Sequence, residues 1–346
     1  MNRLSPLHIT LIFAVLSLLL AFQAKSHELR PAYLQIQQTA EEVFSVSWRV
    51  PARGDLRLSM NVRFGDSVSA VTPPRGTFAN GFYTETWQVS HSAALADVPV
   101  AIDGLEQTMT DALVHIRWQD GREQVTRLLP DRTKLVIDAK GSSGQIAGTY
   151  FVLGVEHILL GIDHLLFVLA LVLLVSGVQQ LVWTITAFTV AHSLTLAAAV
   201  LGWVSVPQAP VEAVIALSIV FVASEILQKH RGRSTLAIRK PWLVAFGFGL
   251  LHGLGFAGAL SEIGVPQHAI PLSLALFNIG VEAGQLAFIG ALALLWWLLQ
   301  QVPPSPWWGA RHNGADTAVV AWPIAYLVGG LAAWWLIDRS LSMVLT

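Results

Sequence analysis

The feature that most constrains this chain is a series of six long apolar segments in its C-terminal half. Most of them reach the roughly 20 residues that an α-helix needs to cross a bilayer. Charged residues make up only 12% of the chain and concentrate before this region. The sequence therefore predicts an α-helical polytopic membrane bundle of about six transmembrane helices within a domain spanning 148–346. The six segments are 148–176, 180–202, 211–228, 241–260, 270–300 and 318–337.

The first 26 residues have the pattern of a secretory signal peptide. Arg3 is followed by an apolar run from Ile9 to Phe22 and by small residues at Ala24 and Ser26. We expect cleavage after Ser26 and export of the segment that follows. A retained signal anchor is the alternative, although the apolar run is shorter than a typical membrane span.

Residues 27–140 alternate apolar and polar side chains in short runs separated by turn signals. Clear runs are 43–50, 56–64 and 112–118, and the Gln119-Asp120-Gly121-Arg122 segment is typical of a hairpin turn. The pattern predicts a small all-β, sandwich-like domain of antiparallel strands. Residues 141–147, which begin Gly-Ser-Ser-Gly, are predicted to link it to the membrane domain.

The distribution of basic residues predicts the orientation of the chain. The loop between the third and fourth segments is rich in Lys and Arg, whereas the loops after the second and fourth segments have neither. The positive-inside rule places the basic loop in the cytoplasm and the β-domain in the periplasm. We therefore expect a multi-pass protein of the bacterial inner membrane. No basic stretch is long enough to suggest nucleic-acid binding.

Ionisable residues within the first apolar segment are costly in a bilayer and therefore suggest a functional site. His157 and His164 lie on one stripe of a helix, and Glu156 and Asp163 lie on a neighbouring one. A straight helix would separate the two histidines by about 10 Å along its axis. One ion could contact both only if the helix breaks at Gly161.

Further polar residues lie near mid-depth in three other segments. His192 lies in the second, His252 in the fourth and Glu282 in the fifth, where Asn278 and Gln285 complete a polar stripe. We expect these residues to converge on one site. The chain has no cysteine, so histidines and carboxylates are its strong metal ligands. These ligands suit nickel, cobalt or zinc ions. The same ligands would equally suit the site of a metal-assisted hydrolase.

Four elements together resemble the HupE/UreJ family. They are the 157–164 segment, the stretch ending at His192, the Leu-Leu-His-Gly element containing His252, and the 277–282 element ending at Glu282. The family's HPxxGxDH signature is matched except that Ile158 replaces the proline of the shorter members. The leading 27–31 segment resembles the larger variant with an extracytoplasmic β-domain. The resemblance implies a nickel or cobalt permease associated with metalloenzyme maturation.

We therefore expect a divalent metal transporter rather than an enzyme, with zinc or copper as other ions. The alternatives are an intramembrane metal-dependent hydrolase, and an assembly factor or sensor whose β-domain docks a periplasmic metalloprotein or metallochaperone. His27, which would be the mature N-terminus, is a further candidate ligand for periplasmic copper. The predicted metal ligands are His157, Asp163, His164, His192, His252 and Glu282, supported by Glu156, Asn278 and Gln285.

Overall fold

The computed structural model describes residues 31–79, 81–138, 143–263, 270–301 and 317–345. These residues form two compact units, one rich in β-structure and one helical. The predicted signal peptide, His27 and part of the predicted linker lie outside the described residues.

The N-terminal unit contains two β-sheets. The larger has the order β10-β9-β1-β2-β7-β5, with β3 added to β2 and β6 added to β7, and the smaller has the order β11-β8-β4. A 3-10 turn at Leu105–Gln107 follows β8. The strands are β1 (Ala32–Ala40), β2 (Val43–Arg53), β3 (Leu56–Arg57), β4 (Asn61–Phe64), β5 (Ser69–Ala70), β6 (Arg75–Ala79), β7 (Phe82–Ser90), β8 (Pro99–Asp103), β9 (Ala112–Arg117), β10 (Glu123–Leu128) and β11 (Lys134–Val136).

Both sheets contribute to a single hydrophobic core, which confirms the all-β prediction for this region. Alternate residues of the larger sheet, such as Leu34 and Trp48, are fully buried, and Val100 and Ile102 of the smaller sheet join them. This burial removes the apolar side chains of the core from water. The predicted hairpin is present, since β9 pairs antiparallel with β10 and Gly121 takes the positive φ of the turn.

Two details of the predicted strands are wrong. The sheet is mixed, because β1 pairs in parallel with β9 across Ala32↔Ala112 to Gln37↔Arg117. Between β1 and β9 the chain forms strands of the smaller sheet, so no hairpin turn fixes the relative direction of β1 and β9. The predicted run 56–64 also divides between the two sheets. Between the two strands, the Met60 carbonyl accepts hydrogen bonds from side chains instead of a neighbouring strand.

The helical unit follows the predicted apolar segments closely. The helices are α1 (Ser143–Leu160), α2 (Ile162–Leu174), α3 (Val178–Val200), α4 (Gln208–His230), α5 (Leu236–Arg239), α6 (Pro241–Ile263), α7 (Ile270–Gln301) and α8 (Thr317–Leu345).

Within the described residues, four helices are long and apolar enough to cross a membrane. They contain Val178–Val200, Gln208–His230, Ile270–Leu298 and Ala321–Met343. A fifth crossing is obtained if α1 and α2, which are bent by 72° at a short break, form one span. The apolar part of α6, Pro241–Gly255, is shorter. The multi-pass helical bundle is thus confirmed, while the described helices give four or five spans rather than the predicted six.

Glycines bring the helices of this unit into backbone contact. A Cβ atom on Gly154 of α1 would lie 2.0 Å from the Phe277 carbonyl oxygen of α7, and one on Gly253 of α6 would lie 2.3 Å from the His192 carbonyl oxygen of α3. Any larger residue would push these helices apart. The close approach allows short polar side chains from different helices to meet in the interior.

Candidate metal centre

Gly161 breaks the first predicted span between its two histidines. Its backbone is extended, with φ −78° and ψ 93°, and α2 begins at the next residue. A Cβ atom here would lie 2.6 Å from the His157 carbonyl oxygen and 2.9 Å from His164 Nδ1, so the bend has room only for glycine. The break inferred from the histidine spacing is confirmed, and it forms with Ile158 in place of the signature proline.

The bend brings three histidines from three helices together. His157 of α1, His164 of α2 and His192 of α3 each offer one ring nitrogen, and these nitrogens lie within 4.8 Å of one another. The ring centroids of His157 and His164 are 4.7 Å apart. His192 is fully buried and His164 is 8% exposed. We call these three residues the histidine cluster.

Hydrogen bonds fix the tautomer of the neutral His192 ring. Asn278 Nδ2 on α7 donates to the Leu274 carbonyl at 2.8 Å, which orients the amide so that its oxygen faces the ring. His192 Nδ1 then donates to Asn278 Oδ1 at 3.2 Å. The proton therefore lies on Nδ1, and the lone pair of Nε2 is left for another partner. Among the described residues, the buried Nε2 atom has none.

His252 of α6 lies beside the histidine cluster, and hydrogen bonds fix its tautomer in the same way. Ser218 Oγ donates to the Ile215 carbonyl at 2.6 Å, so this hydroxyl accepts from His252 Nε2 at 2.9 Å. The lone pair is therefore on Nδ1, a buried atom with no hydrogen-bond partner in the described part of the chain. The ring centroid of His252 is 5.3 Å from that of His164.

The predicted carboxylate ligands have other partners in this structure. Asp163 forms an ion pair with Arg339 of α8 at 2.9 Å. Glu282 accepts a hydrogen bond from Thr186 at 2.6 Å. Glu156 is half-buried on α1, next to His157 in the chain. The group of possible metal ligands found in the described residues comprises the histidine cluster alone, and the other assignments stay predictions.

The two predicted supporting residues on α7 both contact α3. Asn278 contacts His192 as described, and Gln285 accepts a hydrogen bond from Thr189 at 3.0 Å. These contacts, together with the Thr186–Glu282 bond, form a polar seam between α3 and α7. A cluster of buried apolar side chains packs elsewhere between the helices.

Sequence reasoning missed the role of Arg339. Its position beside Asp338, just after the last predicted segment, is typical of a residue at the membrane boundary, yet its guanidinium reaches two other helices. An arginine in an apolar helix requires a counter-charge, although the sequence does not say which acid supplies it. That requirement was the available signal.

The donor set is suited to a divalent cation of intermediate softness. Neutral imidazoles with inward lone pairs bind nickel, cobalt, zinc or copper ions, and hydrogen bonds on the opposite ring nitrogens orient them. A buried ring nitrogen without a hydrogen-bond partner, as at His192 Nε2 and His252 Nδ1, is otherwise unfavourable. The histidine cluster, with His252 beside it, therefore fits a metal ion.

The fold and this centre define a multi-pass membrane protein with a candidate metal site among its helices. A family model described as HupE / UreJ protein matches residues 131–339. The chain belongs to this family, as its sequence elements indicated. A comparison with curated proteins gave no match.

Proposed function

We propose that this protein is a divalent metal permease of the inner membrane, with nickel or cobalt as its substrate. The observation that carries the proposal is the histidine cluster, in which nitrogens from three helices lie within 4.8 Å of one another. Membership of a family related to metal transport supports it. The nickel or cobalt preference follows from the family, since imidazoles alone also accept zinc and copper.

An open groove of about 680 Å³ lies between α3 and α6. None of its lining residues is a histidine, so this groove does not itself contain the histidine cluster. Intramembrane hydrolysis would need an opening through which a lipid or peptide reaches the metal. The groove is lined by Gln179, Gln180, Trp183, Thr186, Ala187, Val190, Trp242 and Phe246.

The same groove supports a route for release of the ion. Asn278, which contacts the histidine cluster through His192, lies one helical turn from Glu282 on α7. Glu282 accepts a hydrogen bond from Thr186, and Thr186 lines the groove. In the proposed permease, an ion leaving the histidines meets the Glu282 carboxylate next and then the groove. On this route Glu282 is a ligand of the passing ion, and Gln285 lies beside Glu282.

In the proposed topology the chain crosses the membrane six times, because α6 is counted in addition to the five spans described above. The sandwich-like β-domain lies in the periplasm. The basic residues Lys229, Arg231 and Arg233 at the end of α4 support a cytoplasmic location for that end. The chain has no cysteine, so single cysteines can be introduced directly. In intact spheroplasts, an impermeant maleimide should label Ser92→Cys of the β-domain but not the exposed Ser234→Cys. The reverse pattern would contradict this orientation.

The periplasmic domain is proposed to receive metal, or to dock a periplasmic metalloprotein or metallochaperone. His27 as a copper ligand also stays a prediction, to be tested by copper binding of wild type and His27→Ala. Loss of bound copper in the variant would support it.

Metal uptake into proteoliposomes tests the main proposal. Vesicles loaded with a divalent-metal fluorophore should take up nickel or cobalt with wild type and lose about tenfold or more of that rate with His157→Ala and His192→Ala. His230→Ala, at the end of α4 and outside the cluster, is the matched control and should retain uptake. If wild type retains bound metal but moves none, the permease proposal is wrong.

A further inference from the structure

Arg339 joins three helices next to the bend at Gly161. Its Nη2 donates to Asp163 Oδ2 of α2 at 2.9 Å, and its Nη1 donates to the Glu212 carbonyl of α4 at 2.8 Å. The Glu212 carboxylate is 3.9 Å from Nε, and the Trp335 ring lies under the guanidinium. We call Arg339, Asp163 and Glu212 the arginine clamp.

The arginine clamp and the histidine cluster share a boundary. Asp163 directly precedes His164, and both belong to the first turn of α2. The side chains of Arg339 and Asp163 are 22% and 24% exposed, so the pair is shielded from most of the solvent. A guanidinium therefore pairs with the carboxylate that directly precedes the cluster histidine of α2.

The histidine cluster itself has no negative charge. Three neutral imidazoles provide lone pairs to a divalent cation but leave its charge uncompensated. A carboxylate ligand usually compensates that charge. Asp163 cannot satisfy a guanidinium and a divalent cation fully at the same time. Binding of the cation and closure of the ion pair are thus opposed.

We propose that Arg339 competes with the transported cation for Asp163. This inference rests on the proposed metal permease function. The clamp is closed in the structure described above, the arriving cation withdraws Asp163 from Arg339, and the pair forms again when the cation leaves. Such a competitor lowers the affinity of the site and speeds release, which a transport site requires because an ion must leave as well as enter. Arg339 is accordingly a positioning residue that acts through Asp163.

The test measures nickel and cobalt dissociation constants by titration calorimetry on the purified full-length protein. Arg339→Gln should bind about fivefold more tightly than wild type, as expected for a partly exposed ion pair. Asp163→Asn should bind more weakly, and Arg339→Gln should have no effect in the Asp163→Asn background. Arg231→Gln, which removes an exposed arginine at the end of α4, is the matched control and should match wild type.

Tighter binding distinguishes competition from a merely structural role, because a damaged bundle binds less metal. Arg339→Lys keeps the charge without the forked hydrogen bonds and should fall between wild type and Arg339→Gln. It also serves as the test if Arg339→Gln does not fold. Unchanged or weaker binding by the Arg339 variants, or equal tightening by Arg339→Gln in the Asp163→Asn background, would overturn the competition. Failure of wild type to bind either metal would instead refute the proposed function.

Discussion

Replacing Gly161 by alanine tests whether the bend creates the metal site. The new Cβ atom would lie 2.6 Å from the His157 carbonyl oxygen and 2.9 Å from His164 Nδ1, so the backbone must move. Overpacking of this kind costs about 1–3 kcal/mol. Alanine also favours a continuous helix over glycine by about 1 kcal/mol. Together these effects should disfavour the bent state by about 2 kcal/mol or more.

The expected result is loss of metal affinity without loss of the fold. A continuous helix would move His157 and His164 about 10 Å apart along its axis, too far for one ion. A cost of about 2 kcal/mol raises the dissociation constant about thirtyfold, which calorimetric titration with nickel can measure. Thermal unfolding and size-exclusion chromatography of the same sample would report whether the bundle remains folded.

Gly290→Ala is the matched control, because a Cβ atom on Gly290 of α7 would have no neighbour within 4 Å. This variant should bind nickel like wild type. Paired spin labels on α1 and α2, placed in a chain that has no native cysteine, would report the bend itself. Wild-type affinity in Gly161→Ala, with the bend retained, would refute the reasoning.

Three other perturbations have defined outcomes. Asn278→Leu removes the acceptor that orients His192 and should weaken nickel binding about 10- to 100-fold, as measured by titration, whereas Asn278→Asp should retain binding. Gly154→Ala should lower the melting temperature, because its Cβ atom would meet a backbone carbonyl of α7 at 2.0 Å, while Gly148→Ala, in open space, should not. In the β-domain, the neighbouring Arg63 guanidinium lowers the pKa of Asp103. This exposed ion pair therefore stabilises the fold at pH values above the ordinary pKa of an aspartate. That small contribution should disappear as pH falls through the lowered pKa, and the melting temperatures of Asp103→Asn and wild type should then converge.

The sequence predicted the helices well because long apolar runs have few other solutions. The predicted 180–202 and 270–300 segments correspond to α3 (Val178–Val200) and α7 (Ile270–Gln301). The bend at Gly161 was also predictable, since two histidines seven residues apart cannot share an ion on a straight helix. Local periodicity was sufficient in each case.

Contacts between distant parts of the chain were not predictable in the same way. Asp163 and Arg339 are 176 residues apart, and nothing in the pattern around either residue specifies the other. The parallel pairing of β1 with β9 was unpredictable for the same reason. Apolar and polar residues alternate in a strand in the same way whether it pairs parallel or antiparallel with its neighbour. The polar seam between α3 and α7 lies between these cases: the stripe on α7 was visible, but its partners on α3 were not.

The orientation of the Asn278 amide has a consequence for the energetics of the proposed transport. Because the Leu274 carbonyl fixes this amide, the neutral His192 ring carries its proton on Nδ1 and keeps the lone pair of Nε2 for a cation. His252 is held in the equivalent state by Ser218. A cation binding to the lone pairs of these two neutral rings displaces no proton from either, so neither His192 nor His252 couples ion binding to proton release. Each ion would then carry its two positive charges across the bilayer, and a membrane potential of 100 mV would contribute about 4.6 kcal/mol to inward movement.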